Sequence, residues 1–243
     1  MSVPGKIALI LGANSDVAKE LIIRYVGRGY HVIAASRDLT SIQKFLDVRS
    51  VKPHEVTLKH FDATAFDSHK PFYNSLTAKP NLVVYAAGYL KQNEEAMLDW
   101  NGAFQMMLVH YCGAVSILNL IATDPANRSL ERIIGLSSLS GVRGRKSNFI
   151  YGSSKSAFTQ YLAGLRQYLF SRGVKVNVVV AGYIRSKMTA GLDLPESLML
   201  EPEFIADAVV SAGNAFTIVP GFKWKVIYHV LRMMPERLVA KLP

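Results

Sequence analysis

The sequence predicts a single α/β domain built on a doubly wound parallel sheet. Short runs of branched apolar residues alternate along the chain with stretches of helical periodicity, which implies parallel strands joined by right-handed crossovers. The chain has 243 residues, half of them hydrophobic, enough for one sizeable core in preference to two small ones. Glycines and small polar residues cluster where the apolar runs end, and sheets of this kind bind ligands at the carboxyl ends of their strands.

The elements follow in order. "KIALIL" (6–11) is a continuous apolar run, as in a strand buried on both faces. "GANSD" makes the next turn, and "VAKELIIRYVGRG" places Val17, Leu21, Ile22 and Tyr25 in helical period. "YHVIAAS" (30–36), "VTLKHFD" (56–62) and "NLVVYAAG" (81–88) read as strands separated by polar, helix-permitting segments. A long helix is expected over 95–122, a fifth strand at "RIIGLSS" (132–138), and a helix over 150–171. "KVNVVVAG" (175–182) is the sixth strand, and a short last strand covers 216–219. Small residues follow Leu11 and Tyr85, and recur at Ser137–Ser138 and Ala181–Gly182. No linker, repeat or low-complexity run divides the chain.

Composition narrows the function classes. The single cysteine, Cys112, excludes an intrachain disulfide and a thiolate zinc cluster, and suits a reducing compartment. The six histidines show no ligand spacing on one helix face, so no metal site is expected. The N-terminal apolar run is too short for a signal-peptide core or a membrane span, and a cytoplasmic location is expected. The formal charge of +10 comes without a dense Lys/Arg run interleaved with aromatics. That argues against nucleic acid and leaves an anionic cofactor or substrate, or an acidic membrane surface.

The first turn, "LILGANSDVA", joins a strand to a helix start. Unpaired amides and the helix dipole there suit a phosphate group. Gly12 permits the tight turn, Asn14, Ser15 and the amides that follow can donate to phosphate, and Asp16 is expected to cap the helix. Many such turns with Gly and Asn bind nothing. The second strand ends Ser36-Arg37-Asp38, where an acidic residue suits the ribose hydroxyls of NAD and a basic one the extra phosphate of NADP. Arg37 favours NADP(H), since Arg suits bidentate phosphate contact; Asp38 keeps NAD(H) as the alternative. In "FIYGSSKSAF" (149–158), Tyr151 and Lys155 lie one helical turn apart and share a face. Alone, such a pair is ordinary helix-surface packing.

Together, "GANSDVA", "YAAG" (85–88), "SS…YGSSK" (137–155) and "AGYIRSKM" (181–188) resemble, in order and spacing, the short-chain dehydrogenase/reductase family over nearly the whole chain. The resemblance implies a Rossmann-type domain over 1–221 with a lid about 186–200. It implies that Tyr151 protonates a carbonyl oxygen as hydride arrives. Lys155 would lower the phenol pKa and hold the nicotinamide ribose, and Ser138 would hydrogen-bond the substrate oxygen. Gly12, Asn14, Ser15, Asp16, Val17, Arg37, Asp62, Ala87, Gly88, Gly182, Ile184 and Ser186 would join Tyr151 and Lys155 around the cofactor. The departures are Asp16 and Ala18 at two glycine positions of the family's turn, "YAAG" for "NNAG", Ala181 for a proline, and His110 for the family's helix asparagine. An imidazole at 110 either takes part in a proton relay through water or is a buried, hydrogen-bonded histidine.

Residues 222–243 form a basic tail. Val226, Ile227, Val230, Leu231 and Met234 are expected to make an apolar helix stripe opposite Lys225, His229, Arg232 and Glu236, extended by Leu238, Val239 and Leu242. Such a helix either lies on an anionic membrane or packs on the domain or a second copy. The tail, "GANSDVA" and "NFIYGSSK" look like one branch of the family, the ketoreductase subunit of decaprenylphosphoryl-ribose 2-epimerase. That branch implies a 2-keto sugar on a polyprenyl phosphate as substrate, met at the inner face of the membrane. The alternatives are a carbonyl or 3-oxoacyl reductase and a non-catalytic dinucleotide-binding protein. The family resemblance also implies a homo-oligomer.

Overall fold

The computed structural model describes residues 5–241. Seven strands form one sheet in the order β3-β2-β1-β4-β5-β6-β7, every neighbouring pair parallel. They are β1 (Ile7–Leu11), β2 (His31–Ser36), β3 (Val56–His60), β4 (Leu82–Tyr85), β5 (Arg132–Ser138), β6 (Lys175–Ala181) and β7 (Thr217–Ile218). The apolar runs are continuous because both sheet faces are covered. Leu9, Leu11, Val83, Tyr85 and Ile133 point into one core, and Ala8, Ile10, Val84 and Ile134 point into the other. The first core also holds α6 (Gly113–Thr123) and α7 (Phe149–Tyr168); the second holds α1 (Asp16–Val26), α2 (Leu39–Val48) and α8 (Pro202–Val210).

Two of the expected strands end early, at His60 and Tyr85. Residues 61–62 and 86–88 leave the ladders and form the loops that border the cleft described below. α3 is Phe66–Asn74. The expected long middle helix is instead a series: α4 (Asn93–Leu98), α5 (Trp100–Met107), a π-helical turn Leu108–Cys112, and α6. Asp99 breaks the first junction. Its backbone is extended (φ −120°, ψ 94°) and its carboxylate accepts from the Asn101 N–H at 3.1 Å, which starts α5.

The π turn is held from the sheet. Buried Tyr85 donates its phenol hydrogen to the Val109 carbonyl at 2.5 Å, satisfying a group inside the widened turn. Gly113, where the π turn ends, lies so close to β4 and the loop after β3 that a Cβ there would sit 2.2 Å from the Ala63 carbonyl oxygen. The helical run Trp100–Thr123 is long and apolar enough to cross a membrane by composition, yet Val109, Ala114, Ile117, Leu118 and Ile121 pack into the domain core.

The tail corrects the expected stripe. In α9 (Phe222–Met233) the buried residues are Trp224, Tyr228 and Leu231, while Val226 and Val230 face outward. Trp224 sets this rotation. Its indole covers Gly182 so closely that a Cβ there would fall 2.1 Å from the ring, and its Nε1–H donates to the Leu198 carbonyl at 2.9 Å. α10 (Glu236–Val239) follows, and Leu242 lies outside the described residues.

Candidate active site

At the carboxyl ends of β1, β2, β4 and β5 the loops enclose a cleft of about 520 Å³, within the range of cofactor and ligand sites. Its first wall is the β1–α1 turn. Gly12 has φ +81°, and a Cβ on it would sit 2.3 Å from the Ala87 nitrogen. Glycine is required there twice over, for the left-handed backbone and for the approach of the β4 loop. The Gly12 and Ala13 N–H groups both donate to the Ala35 carbonyl, at 2.9 and 3.0 Å, which fixes this turn to β2.

Asp16 does not cap α1. Its Oδ2 accepts from the Lys187 N–H at 2.8 Å, and the Lys187 ammonium lies 3.5 Å from Oδ1. The carboxylate therefore turns outward to the segment after β6.

At the end of β2, Arg37 and Asp38 are both exposed. The Asp38 carboxylate caps α2 by accepting from the Ser41 N–H at 3.0 Å, and among the described residues Arg37 makes no ion pair. The Ser41 hydroxyl donates to Asn14 Oδ1 at 2.9 Å and accepts from the Lys19 ammonium at 3.2 Å. Asp62 lines the cleft beyond the end of β3. Burial pushes its carboxyl pKa upward, but hydrogen bonds from the Thr64 N–H and hydroxyl, helped by the Arg37 charge, outweigh it and hold the pKa below the ordinary value.

The far wall carries the polar residues of β5 and α7. Lys155 is buried and its ammonium donates to the Leu136 carbonyl at 3.0 Å; burial brings its pKa down to about 7. The Lys155 nitrogen lies 5.9 Å from the Tyr151 ring centre. Burial pushes the Tyr151 phenol up to about 12, opposed by its hydrogen bond with the Ser138 side chain. The expected lowering of this phenol by Lys155 is thus absent from the protein alone: burial wins, and Tyr151 stays a protonated phenol, suited to giving up a proton.

His110 sits in the π turn, fully buried, with both ring nitrogens engaged. The Tyr89 N–H donates to Nε2 at 3.1 Å and Nδ1 lies 2.8 Å from the Ser154 hydroxyl. A backbone N–H can only donate, so Nε2 is the acceptor and Nδ1 carries the hydrogen. Ser154 passes its own hydrogen to the Tyr151 carbonyl at 2.7 Å. Burial, then the nearby Lys155 charge, hold the imidazole pKa well below its ordinary value. With both nitrogens used and the ring edge-on to Tyr151 at 5.1 Å, His110 matches the buried, hydrogen-bonded reading, and a water relay has no free nitrogen to start from. His110 ties the β4 loop to α7 and sets where Tyr151 stands.

Gly12, Asn14, Ser15, Asp16, Val17, Arg37, Asp62, Ala87, Gly88, Tyr151, Lys155, Ile184 and Ser186 all line the one cleft. Ser138 neighbours Tyr151 without lining the cleft itself, and Gly182 faces Trp224 instead of the cleft, its missing side chain making room for the indole. Among the described residues no cluster of His, Cys, Asp or Glu is built to hold a metal ion. Lys187, Met188 and Tyr89 also line the cleft and were not expected there. A carboxylate at position 16 was the available signal for Lys187, since it needs a cationic partner beside a phosphate site.

The short chain dehydrogenase family profile matches residues 6–196. An uncharacterized oxidoreductase of Mycobacterium tuberculosis is 26% identical over 243 residues, covering 97% of this chain and 96% of that protein. One of Myxococcus xanthus is 28% identical over 244 residues, covering 97% and 92%. A short chain dehydrogenase from Burkholderia cenocepacia in complex with NADP superposes with a TM-score of 0.82 at 23% identity, covering 98% of this chain and 97% of that one. Actinorhodin polyketide ketoreductase with NADPH gives 0.78 at 17% identity, covering 90% and 97%. With the cleft, the paired Tyr151 and Lys155 and a parallel sheet all in place, the chain belongs to the short chain dehydrogenase family.

Proposed function

We propose that the protein is an NADPH-dependent reductase of a ketone. The observation that carries this reading is Tyr151 at the cleft wall, beside Ser138 and one turn from a buried lysine that lines the same cleft. A non-catalytic dinucleotide-binding protein has no use for all three. The cleft fits a dinucleotide. The start of α1 would present its amides to a phosphate, Arg37, without an ion pair among the described residues, stands at the end of β2 for the ribose phosphate, and Asp38 is committed to its cap. Asn14, Ser15, Val17, Asp62, Ala87, Gly88, Ile184 and Ser186 would line the bound cofactor. The NADP and NADPH of the two structural neighbours named above agree with this preference.

Bound NADPH would supply the hydride. As the carbonyl is reduced, charge develops on its oxygen, and hydrogen-bond donors placed beside it would stabilise that charge. Ser138 would hydrogen-bond the oxygen and Tyr151 would protonate it. Lys155, already oriented by the Leu136 carbonyl, would hold the ribose and stabilise the phenolate left behind.

The outer face of α9 favours a membrane-borne substrate. Phe222 (81% exposed), Val226, Val230 and Met233 (82% exposed) form an apolar stripe away from the domain. Lys223, Lys225, Arg232, Arg237 and Lys241 surround it, with Glu236 the acidic residue among them. That is the make-up of a helix seated on anionic lipid. Trp224 and Lys223 bond to the Leu198 and Ser197 carbonyls, so the same helix adjoins the lid. A 2-keto sugar on a polyprenyl phosphate is the substrate this arrangement suits best.

Four outcomes are expected. Replacing Tyr151 by Phe should cut ketone reduction about a hundredfold or more, with NADPH affinity by nicotinamide fluorescence unchanged; equal loss of both would sink the assigned role. NADPH should bind more tightly than NADH, and Arg37→Ala should remove most of the difference; a preference for NADH would reverse the reading of Asp38. An anionic cofactor should favour the charged form of Lys155, raising its pKa above about 7. Binding should then take up a proton, and NADPH affinity should fall as pH rises from about 7 to about 9, at most about tenfold per pH unit. A flat profile, or one that persists in Lys155→Met, would reject that coupling. Finally, the protein should co-sediment with anionic phosphatidylglycerol vesicles and not with neutral phosphatidylcholine ones, and changing Phe222, Val226, Val230 and Met233 to Ser should abolish this. Vesicle binding unaffected by those changes, or a dimer lost with them, would assign the face differently.

A further inference from the structure

Asp16 presents a problem of charge. It stands at a turn whose amides and helix dipole attract an anion, at a position where the backbone must come near a diphosphate. An unpaired carboxylate there would repel the ligand, even in water.

The carboxylate is not unpaired. Both of its oxygens are taken up by one residue, Lys187, whose backbone N–H donates to Oδ2 at 2.8 Å and whose ammonium lies 3.5 Å from Oδ1. The same ammonium donates to the Asn14 carbonyl at 3.0 Å. Lys187 therefore spans the mouth of the turn from residue 14 to residue 16, although it comes from the segment after β6. A second cation stands close by: burial, and then the Lys187 charge, push the Lys19 pKa below its ordinary value.

Lys187 also sits just inside the neck of the lid. Ile184 and Leu200 form a parallel bridge, with the Leu200 N–H donating to the Tyr183 carbonyl and the Arg185 N–H to the Leu200 carbonyl, each at 2.9 Å. Arg185 pairs with Glu196 at 2.6 Å and Glu201 at 2.8 Å. One residue beyond Lys187, the Met188 side chain reaches the β4 loop, its Cε 3.1 Å from where a Cβ on Gly88 would stand. Fixing Lys187 thus fixes both the base of the lid and the side chain that borders the opposite end of the cleft.

We infer that Asp16 and Lys187 form a latch, in which the carboxylate holds the base of the lid onto the phosphate turn and the ammonium cancels the charge that would otherwise repel the cofactor. This rests on the reading of the cleft as a dinucleotide site. Each member makes the other tolerable. Without Lys187 the carboxylate faces the diphosphate, and without Asp16 the lid loses its tether to α1.

A double-mutant cycle tests it, with the Kd for NADPH read by nicotinamide fluorescence on wild type, Lys187→Met, Asp16→Asn and the double variant. Lys187→Met should weaken binding about fivefold at low salt in the wild-type background. In the Asp16→Asn background the same change should cost less than about twofold, since no carboxylate remains to be unmasked. Added salt should shrink the first effect and leave the second unchanged. Asp16→Gly, which removes both tether and charge, should speed protease cleavage within 186–200 relative to wild type. Equal Lys187→Met penalties in both backgrounds would overturn the latch and leave Lys187 a simple phosphate contact. Unchanged proteolysis in Asp16→Gly would remove the tether. Wild-type protein that binds no NADPH would overturn the dinucleotide reading, and the latch with it.

Discussion

A lysine side chain buried with a single carbonyl partner is the constraint around which this site is arranged. Lys155 gives its ammonium to the Leu136 carbonyl, and burial still drives its pKa to about 7. The unfolded chain holds that proton up to the ordinary lysine value. Stability therefore rises with pH between about 7 and about 10.5, and below that window the cost of burying the charge is carried in full. A fold retains such a group where an anion or developing negative charge repays it. The same desolvation pushes Tyr151 the other way, so the free protein presents a neutral phenol next to an amine close to its titration point. Two residues one turn apart acquire opposite shifts from one cause, which is the pairing the proposed reduction would draw on.

That pair is aimed by a polar chain running back to the sheet. Tyr85, at the end of β4, bonds to Val109 within the π turn, and His110 in the same turn bridges the Tyr89 backbone to Ser154 on α7. The bonds of Tyr85 to Val109 and of His110 to Ser154 are buried, so they resist displacement. The widened turn brings His110 between the β4 loop and α7, the two segments that carry Ala87, Gly88 and Tyr151 to one cleft. A neutral imidazole with a fixed tautomer suits that purpose better than a titrating one.

The other end of the cleft is governed by charge. Gly12 lets the β1 turn meet the β4 loop, Asp38 is spent on a helix cap, Asp62 is held by Thr64, and Asp16 is paired with Lys187. The acidic side chains at this end of the cleft are all engaged, while Arg37, without an ion pair among the described residues, lines it. This is how a chain with carboxylates at three unfavourable places still presents a surface that suits an anion.

Much of the fold, and many of the residues that line the cleft, were legible in the sequence. Doubly covered strands must be apolar on both faces, parallel strands must be separated by crossovers, and a parallel sheet gathers its ligand site at strand ends. Those are local rules, and KIALIL, GANSDVA and YGSSK obey them within a few residues each. What the sequence could not supply was the partner each polar group found. Asp16 has a capping residue's type and position, and only the return of the segment after β6, 171 residues later in sequence, drew it away from the helix. His110 reads equally as a relay group or a structural one until Tyr89 and Ser154 claim both nitrogens. The α9 stripe shifted by a fraction of a turn because Trp224 found Gly182, a contact between elements with no shared periodicity. Spacing along a chain determines which residues share a face; pairing between distant segments is decided only when the sheet brings them together.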